Sequence, residues 1–396
     1  MVATFKTEFF QISYFMRFAA LILRSLLVFR TSQIVYFYVA FELSLIPITL
    51  IIMGWGYQPE RLAASMALIL YTITSSLPLL VTLILLAKLT TPSFFLVSPL
   101  MSLGSRARAS IIIARLSLAF FVKLPMFLTH MWLPKAHVEA PVSGSIFLAA
   151  VLLKLGGMGL FRFMGFYQVN RFFCVIMRIC LTGVVWVGLI CTFNTDIKTI
   201  IAYSSVAHMA LALAVVYSFR LEGRLAAALI FLTHGASSSF IFMQSFFLYT
   251  RCGTRSILLV GGSLWWSGLF AVMWFIACIG MMGAPPTANI LGEVATMIIL
   301  VHYSRLAIGF LIAGAFLAGA YSIFLFSFVY HTKKSKKMHL IPFHLIESRA
   351  AALHLYWLLG SLVVINWFFI YFYMIAGFYF RGGSVRRAFT RWNGDL

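Results

Sequence analysis

The chain has 396 residues, of which 62% are hydrophobic and only 10% charged, with a mean hydropathy of +1.00. A soluble domain carries about 25% charged residues, so this composition cannot clothe a water-facing surface and excludes a cytosolic enzyme, a disordered protein and a secreted disulfide scaffold. Thirty Lys and Arg against nine Asp and Glu give a net charge of +21, and its placement between apolar runs (Arg106/Arg108, Arg251/Arg255, Lys333–Lys337, Arg381–Arg391) reads as loop charge facing anionic headgroups, with no nucleic-acid partner.

Apolar runs far longer than barrel strands predict an all-α polytopic membrane protein. In chain order, eleven spans are expected near 8–29, 32–56, 62–87, 110–131, 142–161, 173–193, 197–219, 223–249, 264–301, 305–330 and 353–376, in a single transmembrane domain over 1–396. The first carries Arg17 and Arg24 and reads as a poor span rather than a signal peptide. Proline removes a backbone donor and clashes with the turn before it. The fourth run, with Pro125 and the following Pro134, and the ninth, with Pro285-Pro286, are therefore expected to break. Broken helices at membrane depth occur where freed carbonyls meet protein or water, and they accompany ion pathways. Basic clusters flank the last span on both sides, so charge leaves the orientation open.

Several chemistries have no residues to support them. The cysteines (Cys174, Cys180, Cys191, Cys252, Cys278) form no C-x-x-C pair, which argues against disulfides, zinc and iron–sulfur ligation. Neither a G-x-G-x-x-G turn nor a phosphate-binding loop is present. What the spans do contain is charge. A charge at the bilayer centre costs on the order of 2.5–3.5 kcal/mol on insertion scales, and such residues usually mark function. Glu42, Lys123, Lys154 and Glu293 are four of this kind, and His208 and His234 join them. Each has an ordinary alternative: snorkelling or a packing salt bridge for Glu42, snorkelling of the long stem for Lys123, a packing role beside the Gly156-Gly157 pair that permits close helix approach for Lys154, a helix cap for Glu293, and satisfied core histidines. Together they have a chemical logic. Histidine titrates near pH 7 unperturbed, desolvation moves carboxylates up and lysines down toward that range, and a nearby opposite charge restores the ionised form. Glu–Lys pairs with Lys–His–Glu links thus make a switchable proton relay.

The strings that hold these residues are FELSLIPITLIIMGWGYQPER, FVKLPMFLTHMWLPKAHVEAP, LLKLGGMGLFRF, TDIKTIIAYSSVAHM, HGASSSFIF and GAPPTANILGE. In that order, over about residues 32–330, they closely resemble the chain 4 family of antiporter-like subunits in the membrane arm of NADH–ubiquinone oxidoreductase, respiratory complex I. The resemblance implies two inverted five-helix units, each with one broken helix, matching the runs near 110–131 and 264–301. It implies that Glu42 pairs with Lys123, that Lys154 is the central relay residue, that His208 and His234 continue the relay, and that Glu293 ends it. In sister antiporter-like chains the last position is usually lysine, so Glu293 favours chain 4. His137 and Glu139, in WLPKAHVEAP, are candidates for a surface site of proton uptake, or else brace the broken helix. Lys135 stands there where the family frequently has aspartate.

The resemblance also implies about three helices ahead of the one bearing the glutamate, so the N-terminus here reads as shortened by about that many. The function implied is a proton-translocating subunit driven by quinone reduction elsewhere in the complex. NADH, FMN, iron–sulfur clusters and ubiquinone would then sit on other subunits, and no cofactor or metal on this one. Neighbouring antiporter-like subunits and membrane lipids would be its partners, and the mitochondrial inner membrane its place. A cation/proton antiporter subunit and a non-conducting structural subunit are the competing readings; a scaffold would have little reason to keep Glu42, Lys123, Lys154 and Glu293.

Overall fold

In lipid, a chain satisfies its backbone polar groups only by helices or closed barrels. The computed structural model, which describes residues 2–89, 106–164, 171–260, 268–331 and 347–360, is helical almost throughout. Among these residues Asp196 and Ser256 pair in an isolated bridge. In chain order the helices are α1 (Val2–Arg30), α2 (Ile34–Leu43), α3 (Leu45–Trp55), α4 (Arg61–Leu89), α5 (Arg106–Lys123), α6 (Trp132–Glu139), α7 (Val142–Phe147), α8 (Leu153–Phe163), α9 (Arg171–Phe193), α10 (Ile197–Val216), α11 (Leu221–Cys252), α12 (Gly268–Met282), α13 (Asn289–Tyr303) and α14 (Ala307–His331), followed by a helical run over 347–360.

Eight helical stretches among the described residues are long and apolar enough to cross a membrane: Gln11–Arg30, Ile34–Trp55, Arg61–Leu85, Val142–Phe163, Phe172–Phe193, Ile197–Val216, Leu221–Cys252 and Ala307–Tyr330. They match eight of the eleven expected spans. In the run near 110–131 the helix α5 stops at Lys123 and α6 begins only at Trp132, past its end, while the run near 264–301 is divided into α12 and α13. The run near 353–376 is described only as far as residue 360, and the side chains of Arg106, Arg108, Lys333–Lys337 and Arg381–Arg391 lie outside the described residues.

The breaks have a common local cause. A proline leaves the carbonyl four residues earlier without its helical N–H. Pro125 frees the Phe121 carbonyl, which accepts from Met126 N–H and from Thr129 Oγ1, each at 3.0 Å. The next carbonyl, Val122, accepts from the Trp132 indole at 2.9 Å. Pro285 frees the Met281 carbonyl, which lies 2.9 Å from His208 Nε2. Pro47 does the same to Leu43, whose carbonyl accepts from Arg24 Nη1 at 2.9 Å. The run 32–56 is accordingly divided at Ser44 into α2 and α3, a break the sequence reading did not anticipate. A second unanticipated feature is a π-helical turn, Leu148–Leu152, between α7 and α8. Such turns appear mostly as single insertions, frequently at functional sites.

α10 is buried on every side, packed between α9 and α11 and also touching α6 and α13. A helix apolar all round belongs in such a position. α11 packs on α12, α13 and α7, α14 on α9 and α12, and α4 on α5 and α6, while α1 lies outside against α2, α3 and α8. Small residues let α8 approach both neighbours: a side chain at Gly159 would run into Phe120 of α5, and one at Gly157 into Phe231 of α11. The outward faces of α1, α4 and α14 expose large apolar side chains such as Phe15, Leu70 and Phe316.

One charge assignment changes. Arg251 is 2% exposed and forms a two-pronged ion pair with Glu347, tying α11 to the 347–360 run. Arg255 donates to the Val138 carbonyl at 2.9 Å. Neither is a free headgroup-facing charge; each was read that way because it lies beyond the end of an apolar run.

Candidate functional site

The break between α2 and α3 and the end of α5 bring the first pair together. Lys123 Nζ lies 3.5 Å from Glu42 Oε1. It also donates to the Phe41 carbonyl at 2.8 Å and sits 3.0 Å from the centre of the Phe41 ring. An ammonium over an aromatic face, with one carboxylate and one carbonyl, is well compensated for loss of water. Lys123 is 5% exposed at its side chain and Glu42 19%, so the carboxylate has the freer side of the pair.

The second group is a line of four. Lys154 emerges immediately after the π turn, donating back to the Ala149 carbonyl within it. Its Nζ is 3.2 Å from His234 Nδ1. An ammonium can only donate, so a charged Lys154 makes Nδ1 the proton-free nitrogen of His234. Gly235 lies against the end of the lysine stem, where a side chain would meet Lys154 Cε at 3.6 Å. The rings of His234 and His208 are 5.4 Å apart between centres. His208 Nδ1 is 3.1 Å from Glu293 Oε1, while its Nε2 faces the Met281 carbonyl. A carbonyl only accepts, so Nε2 carries a hydrogen. The line between Nδ1 and the carboxylate must then hold one more proton, on the ring or on the acid. Lys154, His208, His234 and Glu293 are all buried.

The pair and the line are not directly joined. Among the described residues no hydrogen bond or ion pair links Lys123 to Lys154. A cavity of about 20 Å³ lies beside Lys123, lined also by Ser44, Thr72, Trp132, Leu152 and Leu155. A second, of about 20 Å³, is lined by His208, Glu293 and Tyr321 among others. Each has room for about one water.

His137 and Glu139 lie below the surface, not on it. His137 is 0% exposed, its ring stacked on Phe242 with centres 4.7 Å apart. Lys154 and Lys198 both act on it electrostatically. Glu139 is buried as well, and burial raises its carboxyl above the ordinary value while Arg255 pulls it back. Lys198, 5% exposed, was passed over because it stands second in its helix and reads as an end residue. It reaches the Val138 and Ala140 carbonyls at 3.4 and 3.3 Å, the open end of α6. Tyr321 was also passed over: its buried hydroxyl, without a hydrogen-bond partner among the described residues, belongs to α14, which shows no charge to single it out. Among the described residues no cluster of three His, Cys, Asp or Glu is placed to hold a metal ion, and the five cysteines are unpaired with one another.

Known proteins share both the sequence and the fold. The family profile described as NADH:quinone oxidoreductase/Mrp antiporter, TM, matches residues 31–319. The NADH-ubiquinone oxidoreductase chain 4 of Aedes aegypti is 42% identical over 298 residues, covering 75% of this chain and 66% of the relative. That of Ceratitis capitata is 40% identical over 310 residues, covering 78% and 68%. The chain thus spans about two thirds of the length of these relatives. A chain of the respiratory complex I from Thermus thermophilus superposes with a TM-score of 0.74 at 24% identity, over 84% of this chain and 71% of that one. A chain of the Mrp complex from Dietzia gives 0.74 at 17% identity, over 82% and 62%. At those identities the likeness concerns the fold. The chain belongs to the NADH:quinone oxidoreductase/Mrp antiporter transmembrane family, on the side of the chain 4 proteins.

Proposed function

We propose that the chain is the chain 4-type, proton-translocating subunit of the membrane arm of NADH:ubiquinone oxidoreductase, in the mitochondrial inner membrane. It relays protons along Lys154, His234, His208 and Glu293, with Glu42–Lys123 as the switch at the other end. When the Glu42 carboxylate swings away, Lys123 loses its one charged partner among the described residues and releases its proton toward the Lys154 group through water held between α5 and α8. His137, Lys198 and Glu139 form a side branch from Lys154 toward the α6 end of the bundle. Redox groups and quinone belong to other subunits. This chain contributes about eleven spans, arranged as two inverted five-helix units centred on the breaks at Pro125 and Pro285.

One observation carries this reading: four buried titratable side chains stand in line from the π turn of one span to the double-proline break of another, with Lys154–His234 and His208–Glu293 at 3.2 and 3.1 Å and the two imidazole rings 5.4 Å apart between centres. A structural subunit would have no use for such a line, since hydrophobic residues of similar volume are often as stabilising as buried ion pairs. The shared fold with the Mrp chain favours a cation/proton antiporter as the second reading; the 42% identity to a chain 4 protein favours the first. The test is Glu293→Gln in the assembled complex, which removes the charge with little change of shape. Protons moved per electron are expected to fall while NADH-oxidising complex still assembles on native gels. Normal pumping would remove Glu293 from the path, and a chain that never co-migrates with NADH-oxidising complex would favour the antiporter.

A further inference from the structure

The double-proline break does more than interrupt a helix. α12 ends in a Schellman turn: Ala284 N–H bonds the Ile279 carbonyl at 3.2 Å across Gly283, which is left-handed at φ +72°. This turn brings residue 283 against the next helix, and a side-chain carbon at that position would fall on the Glu293 carboxylate, meeting both oxygens and the carbon between them. Two residues earlier, the carbonyl freed by Pro285 fixes Nε2 of His208. A four-residue strip, Met281–Ala284, therefore presents the ring to Glu293 and leaves the space in which the carboxylate reaches Nδ1 at 3.1 Å.

We propose that Gly283 is a positioning residue for the last proton transfer of this chain: the side chain it lacks is the seat of the Glu293 carboxylate beside His208. The proposal rests on the relay reading above. It differs from an ordinary helix-ending glycine, whose requirement is the left-handed backbone alone. Asparagine tolerates that backbone but carries a Cβ, so it separates the two roles.

The experiment uses the complete, membrane-embedded complex with Gly283→Ala, Gly283→Asn, Glu293→Asp and the double variant Gly283→Ala/Glu293→Asp. Native gels read assembly, and proton translocation per electron reads coupling. Both single Gly283 variants are expected to lose coupling by about ten-fold, equivalent to ~1.4 kcal/mol. Aspartate, one methylene shorter, withdraws the carboxylate from the new carbon, so the double variant is expected to pump better than Gly283→Ala alone. Recovery of coupling by Gly283→Asn would overturn the seat in favour of a backbone requirement. So would a double variant no better than Gly283→Ala, in coupling or, if Gly283→Ala fails to assemble, in assembly. Wild-type pumping by Glu293→Gln would instead remove the relay reading, a result distinct from either.

Discussion

At the scale of single residues, the chemistry depends on which proton each group can hold. Lys123 is surrounded by a carboxylate, a carbonyl and a ring face, all of which favour the ammonium, and only the carboxylate can leave. Lys123→Arg keeps the charge but not the ability to lose it, because arginine does not deprotonate in proteins. Coupled turnover in proteoliposomes is expected to drop at least about ten-fold, or ~1.4 kcal/mol on the barrier. Unchanged turnover would make Lys123 a fixed charge. Residue identity and depth in a span were enough to single out Glu42, Lys123, Lys154, His208, His234 and Glu293. Lys198 escaped because its depth comes from the α6 end folding over it, a contact 58 residues away in the chain.

At the scale of elements, proline and glycine set the geometry. A proline inside a span announces an unpartnered carbonyl four residues earlier, and Pro47, Pro125 and Pro285 each do so. The carbonyls freed by Pro47 and Pro285 meet a group on a helix packed opposite (Arg24 of α1, His208 of α10), whereas the one freed by Pro125 is taken by Met126 and Thr129 in the turn that follows. The Gly-rich start of α8 was legible as a close-approach surface, and the structure uses it against two helices at once. Gly159→Ala forces the Phe120 ring aside, and overpacking of this kind costs about 1–3 kcal/mol. A lower thermal midpoint for dissociation of the assembled complex is the expected result; an unchanged midpoint would mean that Phe120 yields freely. The π turn before Lys154 was not legible. Nothing in LAAVL departs from ordinary helix-forming sequence; the partners of the turn, the Lys154 ammonium on the Ala149 carbonyl and α11 packed beside it, come from outside that stretch.

At the scale of the whole molecule, α10 and α11 form the buried centre, and ion pairs attach later segments to it. Arg251 and Glu347 join α11 to the run over 347–360. Removing one partner of a buried pair costs about 3–5 kcal/mol, and the partly exposed Glu347 puts this one at or below the low end. Arg251→Met is expected to lower the thermal midpoint for dissociation of the assembled complex while leaving protons per electron unchanged. An unchanged midpoint would show that this pair does not hold the 347–360 run to α11.

Composition and hydropathy by themselves determined the class: with so few charges and such long apolar runs, only membrane-spanning helices satisfy the backbone. The rarity of intramembrane charge likewise made Glu42, Lys123, Lys154 and Glu293 stand out, because each carries an insertion cost that must be offset. Tertiary structure alone decided their connection. Lys154 and His234 are 80 residues apart in the chain, and His208 and Met281 73. Their contacts depend on helix packing and on where broken helices turn, and no local pattern encodes a distance between helices. The same holds for Gly283, whose backbone freedom is local but whose empty side is defined by a carboxylate on the following helix.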